Sequence, residues 1–278
     1  MPLSRAFETS ATPIVFGKLP NRPDFIRVNA AHPAAAEFDE RLQAALRAFC
    51  CQPGWETAYD ETPATLFCCP SRDQRWVFAG AWRNSRDQSM RRYPLAAGIA
   101  FPAAQLGTGG SLVPIACEVF FEGLREQLAN ALDNSVEALA CRQFLEGQAA
   151  AWNPGLADLP LAVEIVGRFM DDHPPSVLEV PQVATCPERL ALMLMNITFY
   201  RDFRRRFPEP SAAQVIELPL AGGPGEAPLQ ASAWLTLLMA IAGDQEPWHG
   251  GFLLRHGPEG AALHASFGLM PWQALVLA

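Results

Sequence analysis

Along its first hundred residues the chain alternates between short apolar runs and polar links. Ile14 to Phe16 predicts a short buried strand, closed by Gly17. Thr65 to Cys69 and Arg75 to Trp82 predict two more, joined by the hairpin-length link Pro70 to Gln74. The second of these is apolar almost throughout, as expected of a strand covered on both faces. Leu95 to Phe101 predicts a further strand. Ahead of them, Phe38, Leu42, Ala45, Leu46 and Phe49 recur at three- and four-residue steps. That spacing predicts a helix starting at Pro33 or the alanines after it, with Asp39, Gln43 and Arg47 on the opposite side and Pro53-Gly54 as the stop.

After Pro114 the pattern lengthens. Phe120, Leu124, Leu128, Leu132, Val136 and Leu139 predict a long helix running to about Gln148 and packing across the sheet. Pro114 suits its first turn, and Asp133-Asn134 or Gly147 are candidate breaks. Trp152 to Pro160, rich in Pro, Gly and Asn, marks an internal boundary. Leu161 to Phe169 reads as a strand, Pro187 to Phe207 as a helix ending in Arg204-Arg205-Arg206, and Gln214 to Leu220 as a strand. Leu229 to Ala242 predicts a buried apolar helix, and Gly250 to Arg255 with Ala261 to Phe267 a terminal hairpin. Runs of strands followed by a long helix, without strict strand–helix alternation, predict an α/β fold with a mostly antiparallel central sheet sandwiched between helical layers. Residues 1–150 form one region, and residues 151–278 are expected to continue the same body.

Composition narrows the possibilities. Of the 278 residues 50% are apolar and 18% charged, which describes a folded chain with ample core and not a disordered one. The net charge of −8 argues against a general nucleic-acid binder, while a local basic patch stays open. The opening MPLSRAFETSATP has no apolar signal core, and the run Ala231 to Ala242 is shorter than the roughly 20 residues that cross a bilayer. No membrane insertion and a cytoplasmic location are therefore expected. The seven cysteines (Cys50, Cys51, Cys68, Cys69, Cys117, Cys141 and Cys186) are odd in number and lack a signal peptide, which points to reduced thiols. The pairs Cys50-Cys51 and Cys68-Cys69 are adjacent and lack the spacing that wraps zinc, so neither metal nor cofactor is expected. Leu106 to Gly110 is not followed by Lys-Ser/Thr and reads as a flexible linker instead of a phosphate cradle.

Two stretches carry the candidate chemistry. In FGKLPNRPDF, Phe16 to Phe25, a turn stiffened by Pro20 and Pro23 displays Lys18, Arg22 and Asp24. It is either a structural corner or a presented surface. In GAWRNSRDQSMRRYPL, residues 80–95, the polar piece Arg83 to Arg92 is long for a tight turn and is a candidate functional loop. Complementary charges on the two stretches predict that they share an edge, with Asp24 neutralising a neighbouring cation there. Lys18, Arg22, Arg86, Arg91 and Arg92 then gather positive charge, either for an acidic partner or to be absorbed by Asp24, Asp87 and the local backbone.

Together these stretches resemble the TagF (ImpM) family, an accessory and regulatory family of bacterial type VI secretion systems. Its first signature is matched by Gly17, Lys18, Leu19, Pro20, Asp24 and Phe25, and an aromatic-Asp-x-aromatic-Leu-Gln pattern by Phe38, Asp39, Leu42 and Gln43. Its second signature is matched by Ser85, Asp87, Arg91, Tyr93, Pro94 and Leu95. Pro23 and Met90 stand where that pattern has glycine, and Arg41 where it has an aromatic residue. The resemblance covers residues 13–101. It implies a non-catalytic cytoplasmic factor that restrains secretion after translation, in part by binding a forkhead-associated scaffold protein. Some relatives carry a fused serine/threonine phosphatase domain, whose acidic metal-binding motifs are missing from this chain. From a different class, a small hydrolase or transferase would use Asp171, Asp172 and His173, or a pocket near Ser85, Asp87 and Arg91. An assembly chaperone of the same apparatus is a third reading.

Overall fold

The computed structural model describes residues 11–133, 142–147, 158–172, 195, 215–220, 225–242, 250–257 and 260–266. Its frame is an eight-stranded sheet made of β1 (Thr12–Gly17), β2 (Ile26–Val28), β3 (Thr65–Pro70), β4 (Trp76–Arg83), β5 (Leu95–Pro102), β6 (Val215–Leu220), β7 (Phe252–Gly257) and β8 (Gly260–Ser266). The spatial order is β2-β1-β5-β4-β3-β7-β8-β6, and every neighbouring pair is antiparallel. The join between early and late sequence is β3 against β7, in register Thr65 with Arg255 and Cys68 with Phe252.

Side chains alternate strictly across this sheet. Ile14, Phe16, Phe67, Phe78, Trp82 and Leu253 point to one face, where helix α1 (Pro33–Phe49) covers them. Val15, Leu66, Val77, Ala79, Ile99, Phe101 and Leu254 point to the other. That second face is covered by α4 (Glu118–Asp133), which follows the short α3 (Val113–Ala116), and by the apolar α6 (Ala227–Ala242). Because both faces are buried, the central strands are apolar except at Thr65 and Arg83, at their ends, which is why they read as nearly unbroken runs. The α1 face is aromatic: Phe38 stacks on Phe67 at 4.5 Å and meets Phe78 edge-on at 5.3 Å. Burying each such ring contributes roughly 1.5–3 kcal/mol. The opposite face is mostly aliphatic.

Several expectations are corrected. Leu161 to Phe169 belongs to a helix, α5 (Leu159–Asp172), not a strand; only Ala162 and Val166, one turn apart, are buried in it. Helix α1 ends at Phe49, and Gly54 instead opens a second short helix, α2 (Trp55–Glu61). Leu106 to Gly110 is no loose linker: it is bracketed by single 3₁₀ turns, Ala103–Gln105 and Gly109–Leu112, with Gly110, Ser111 and Leu112 buried. The long helix after Pro114 is divided at Cys117 into α3 and α4, and its expected continuation through Val136 and Leu139 lies outside the described residues. The helix expected over Pro187 to Phe207, with its three arginines, lies outside them too, apart from Met195. Cys50, Cys51, Cys68, Cys69 and Cys117 are free thiols.

Candidate functional site

The two signature stretches form one corner beside the starts of β2 and β5. It begins at Gly17, whose φ of +132° is a backbone conformation that favours glycine. A Cβ there would lie 2.0 Å from the Pro94 carbonyl oxygen, so only glycine lets β1 ride against the strand entry at Pro94 and Leu95. Leu19 is fully buried and pins the turn to the aliphatic core, and the Arg22 amide closes it on the Leu19 carbonyl at 3.1 Å. Phe25 meets the ring of Tyr93 at 5.0 Å, with the Arg27 guanidinium 5.1 Å over its own ring.

The second signature is a hairpin tip. Tyr93 donates its amide to the Ser85 carbonyl (3.0 Å) and Asp87 donates to Arg91 (3.1 Å), so Gln88, Ser89 and Met90 form a three-residue loop. The Met90 amide closes a turn on the Asp87 carbonyl at 2.9 Å, and Met90 itself has φ +64°. A turn followed by a left-handed residue is the usual geometry of such a loop, which explains a glycine in the family pattern here. Methionine in that conformation costs about 1–2 kcal/mol.

Asp87 holds tip and turn together. Its Oδ1 accepts the amides of Ser89 and Arg91, both at 2.9 Å, and its Oδ2 accepts Arg91 Nε at 2.7 Å and faces Lys18 Nζ at 3.0 Å. Around it, Ser85 Oγ donates to the Lys18 carbonyl (2.8 Å), Gln88 N to Arg22 (3.1 Å) and Arg91 Nη2 to Pro23 (2.8 Å). Burial alone would raise the Asp87 pKa. The Arg91 amide, then the Lys18 and Arg91 side chains, outweigh it and hold the carboxyl well below the usual carboxylate range. The carboxylate expected to serve these cations, Asp24, is exposed instead.

Two further elements complete the corner. From α1, Asp39 accepts the Tyr93 hydroxyl and Gln43 Nε2 (3.0 Å), so the third family pattern reaches the second signature directly. Burial, then this carboxylate, push the Tyr93 phenol up. From α2, the Tyr59 hydroxyl donates to the Ser85 carbonyl at 3.0 Å and accepts the Ser85 amide at 3.2 Å. Arg92 clamps Asp60 through two nitrogens at 3.0 and 2.8 Å, reaches Glu56 at 3.1 Å and lies 5.5 Å over Trp55. Sequence reading missed Tyr59, Asp60 and Glu56. The only signal was the Trp55–Tyr59 spacing of four, in a helix too short for periodicity to show.

All the signature residues, Gly17, Lys18, Leu19, Pro20, Asp24, Phe25, Ser85, Asp87, Arg91, Tyr93 and Pro94, therefore lie on one connected feature. The family model for the TagF N-terminal domain, associated with type VI secretion systems, matches residues 15–147. Over those residues the chain is similar to the TagF N-terminal domain. No curated protein matches it. Among solved structures it is similar to PA0076 from Pseudomonas aeruginosa PAO1, at 24% identity over 49% of this chain and 61% of that one, with a TM-score of 0.42. The match thus spans about three fifths of that relative's length.

The chemistry of the corner is that of a locked joint. Ser85 Oγ is committed to a backbone carbonyl, and Asp87 is saturated by amides and cations. Asp171 and Asp172 are exposed at the end of α5, and His173 lies outside the described residues. Among the described residues no three His, Cys, Asp or Glu side chains are grouped to hold a metal, and no helix is long and apolar enough to cross a membrane.

Proposed function

We propose that this protein is a non-catalytic, cytoplasmic regulator of a bacterial type VI secretion system, restraining assembly by binding a forkhead-associated scaffold protein. The observation that supports the reading is the match of residues 15–147 to the TagF N-terminal domain, together with a corner whose polar side chains are interlocked through Asp87. Side chains that a hydrolase would use there are already consumed: a nucleophile needs a base within hydrogen-bond reach, and Ser85 has only the Lys18 carbonyl and its own loop.

The test is a calorimetric titration of the purified chain against the cognate scaffold, paired with secretion from the native host. Saturable binding, together with increased secretion when the gene is deleted, is the expected result; no heat of binding and unchanged secretion would reject it. A parallel esterase, phosphatase and nuclease screen is expected to stay at background. Activity that disappears in Ser85→Ala or Asp172→Ala would revive the hydrolase reading.

A further inference from the structure

Met90 is a large apolar side chain, 55% exposed, at the apex of the hairpin tip. Among the described residues the other exposed large apolar side chains lie on α4, on α5 or at Met195, so Met90 alone stands on the signature corner. Three features set it apart from an incidental surface residue. First, its presentation is rigid: Asp87 holds the amides on both sides of it, and the carbonyls of Arg22 and Pro23 tether Gln88 and Arg91. A partner that engages it orders little, which lowers the cost of binding. Second, the conformation is one that favours glycine, yet the position holds a flexible thioether, the side chain that best adapts to an apolar pocket.

Third, cations flank it on the hairpin itself. Asp87 is completely covered, whereas the Arg91 side chain is 63% exposed and Arg86 is exposed. Arg91 is also oriented, by Asp87 at Nε and by Pro23 at Nη2. Arg92, by contrast, is spent on Asp60 and Glu56. What reaches solvent on the hairpin tip is an apolar knob flanked by cations, with the exposed Asp24 on the neighbouring turn.

We propose that Met90 is the apolar anchor of a protein-docking surface, seated in an apolar pocket of the partner whose rim carries carboxylates facing Arg86 and Arg91. This rests on the scaffold-binding reading above and assigns it a residue and a partner chemistry. The decisive variants are Met90→Gly and Met90→Asn, both of which tolerate the left-handed backbone and should melt no lower than the parent. Titrated against the scaffold, each is expected to weaken binding by at least about tenfold. Met90→Leu should recover most of the affinity, and Arg86→Glu should weaken it and reduce its salt dependence. Parent-like affinity of Met90→Gly and Met90→Asn for a scaffold that does bind the parent overturns the inference and leaves the scaffold reading standing. Failure of the parent to bind the scaffold rejects both. Sedimentation of the parent, but not of Met90→Gly, with phosphatidylserine vesicles overturns the protein partner in favour of an anionic membrane.

Discussion

Asp87, on the loop between β4 and β5, and Arg255, on β7, are both charged side chains almost wholly removed from water. Their surroundings answer that burial differently. Asp87 collects two amides, a guanidinium and an ammonium, and stays ionised far into acid. Arg255 donates to the Thr65 hydroxyl at 3.0 Å and lies 5.9 Å over the Trp82 ring. Burial, offset only in part by Glu217, pushes its pKa down to about 10. Beside it on β8, His264 is buried and has its pKa pushed down to about 4, first by burial and then by the charge of Arg255. The corner is thus electrostatically closed, while the β7–β8 end keeps buried groups that protonation disturbs. Polar burial of the first kind fixes a shape; burial of the second kind makes stability depend on pH.

The largest effect should follow from opening the closed end. Asp87→Asn keeps the acceptor for the two amides but deprives Lys18 and Arg91 of their counter-charge, and is expected to lower the melting midpoint by on the order of 5 °C or more. An unchanged midpoint would mean that the corner is no joint at all. Next in size is the acid response of the other end. A histidine whose folded pKa lies below its unfolded value of about 6.5 contributes stability that is full above that value and declines as pH falls toward the folded one. For His264, and for His32 at the start of α1, also held at about 4 by burial, that window runs from about 6.5 down to about 4. His264→Asn should flatten the decline in urea titrations across this range, and Asp87→Asn should leave its slope unchanged above about pH 5, where neither the folded nor the unfolded carboxyl binds protons. Tyr59→Phe is expected to cost about 1–2 kcal/mol, since it leaves the buried Ser85 amide without its acceptor. Smallest is Arg92→Ala, at about 0.5–1 kcal/mol, because Glu56 and Asp60 are largely solvated.

The sheet and α1 were legible because burial on both faces writes strands as unbroken apolar runs and a buried helix face as a three-and-four stripe. Where exposure and hydrophobicity part company, that logic misleads. Leu161, Val163 and Ile165 are exposed on α5, so their apolar alternation, two of the three β-branched, imitated a strand that the buried pair Ala162 and Val166 contradicts. The three residues of β2 and the seven of α2 are too short to show a period, and α2 carries half of the clamp on the second signature. That the signatures meet was readable from complementary charge. Which carboxylate joins them was not, because Asp24 and Asp87 differ in burial, a property of the finished fold.

The pairing of β3 with β7 also bears on how the chain is made. Thr65 and Arg255 touch across a separation of 190 residues, so β3 must wait until β7 has left the ribosome before its second ladder can form. Until then Leu66, Phe67, Cys68 and Cys69 lie on an open, uncharged edge, the kind of template on which nascent chains stick to one another. Truncation anywhere before Phe252 leaves that edge permanently open, and such fragments are expected to aggregate more than chains that include β7.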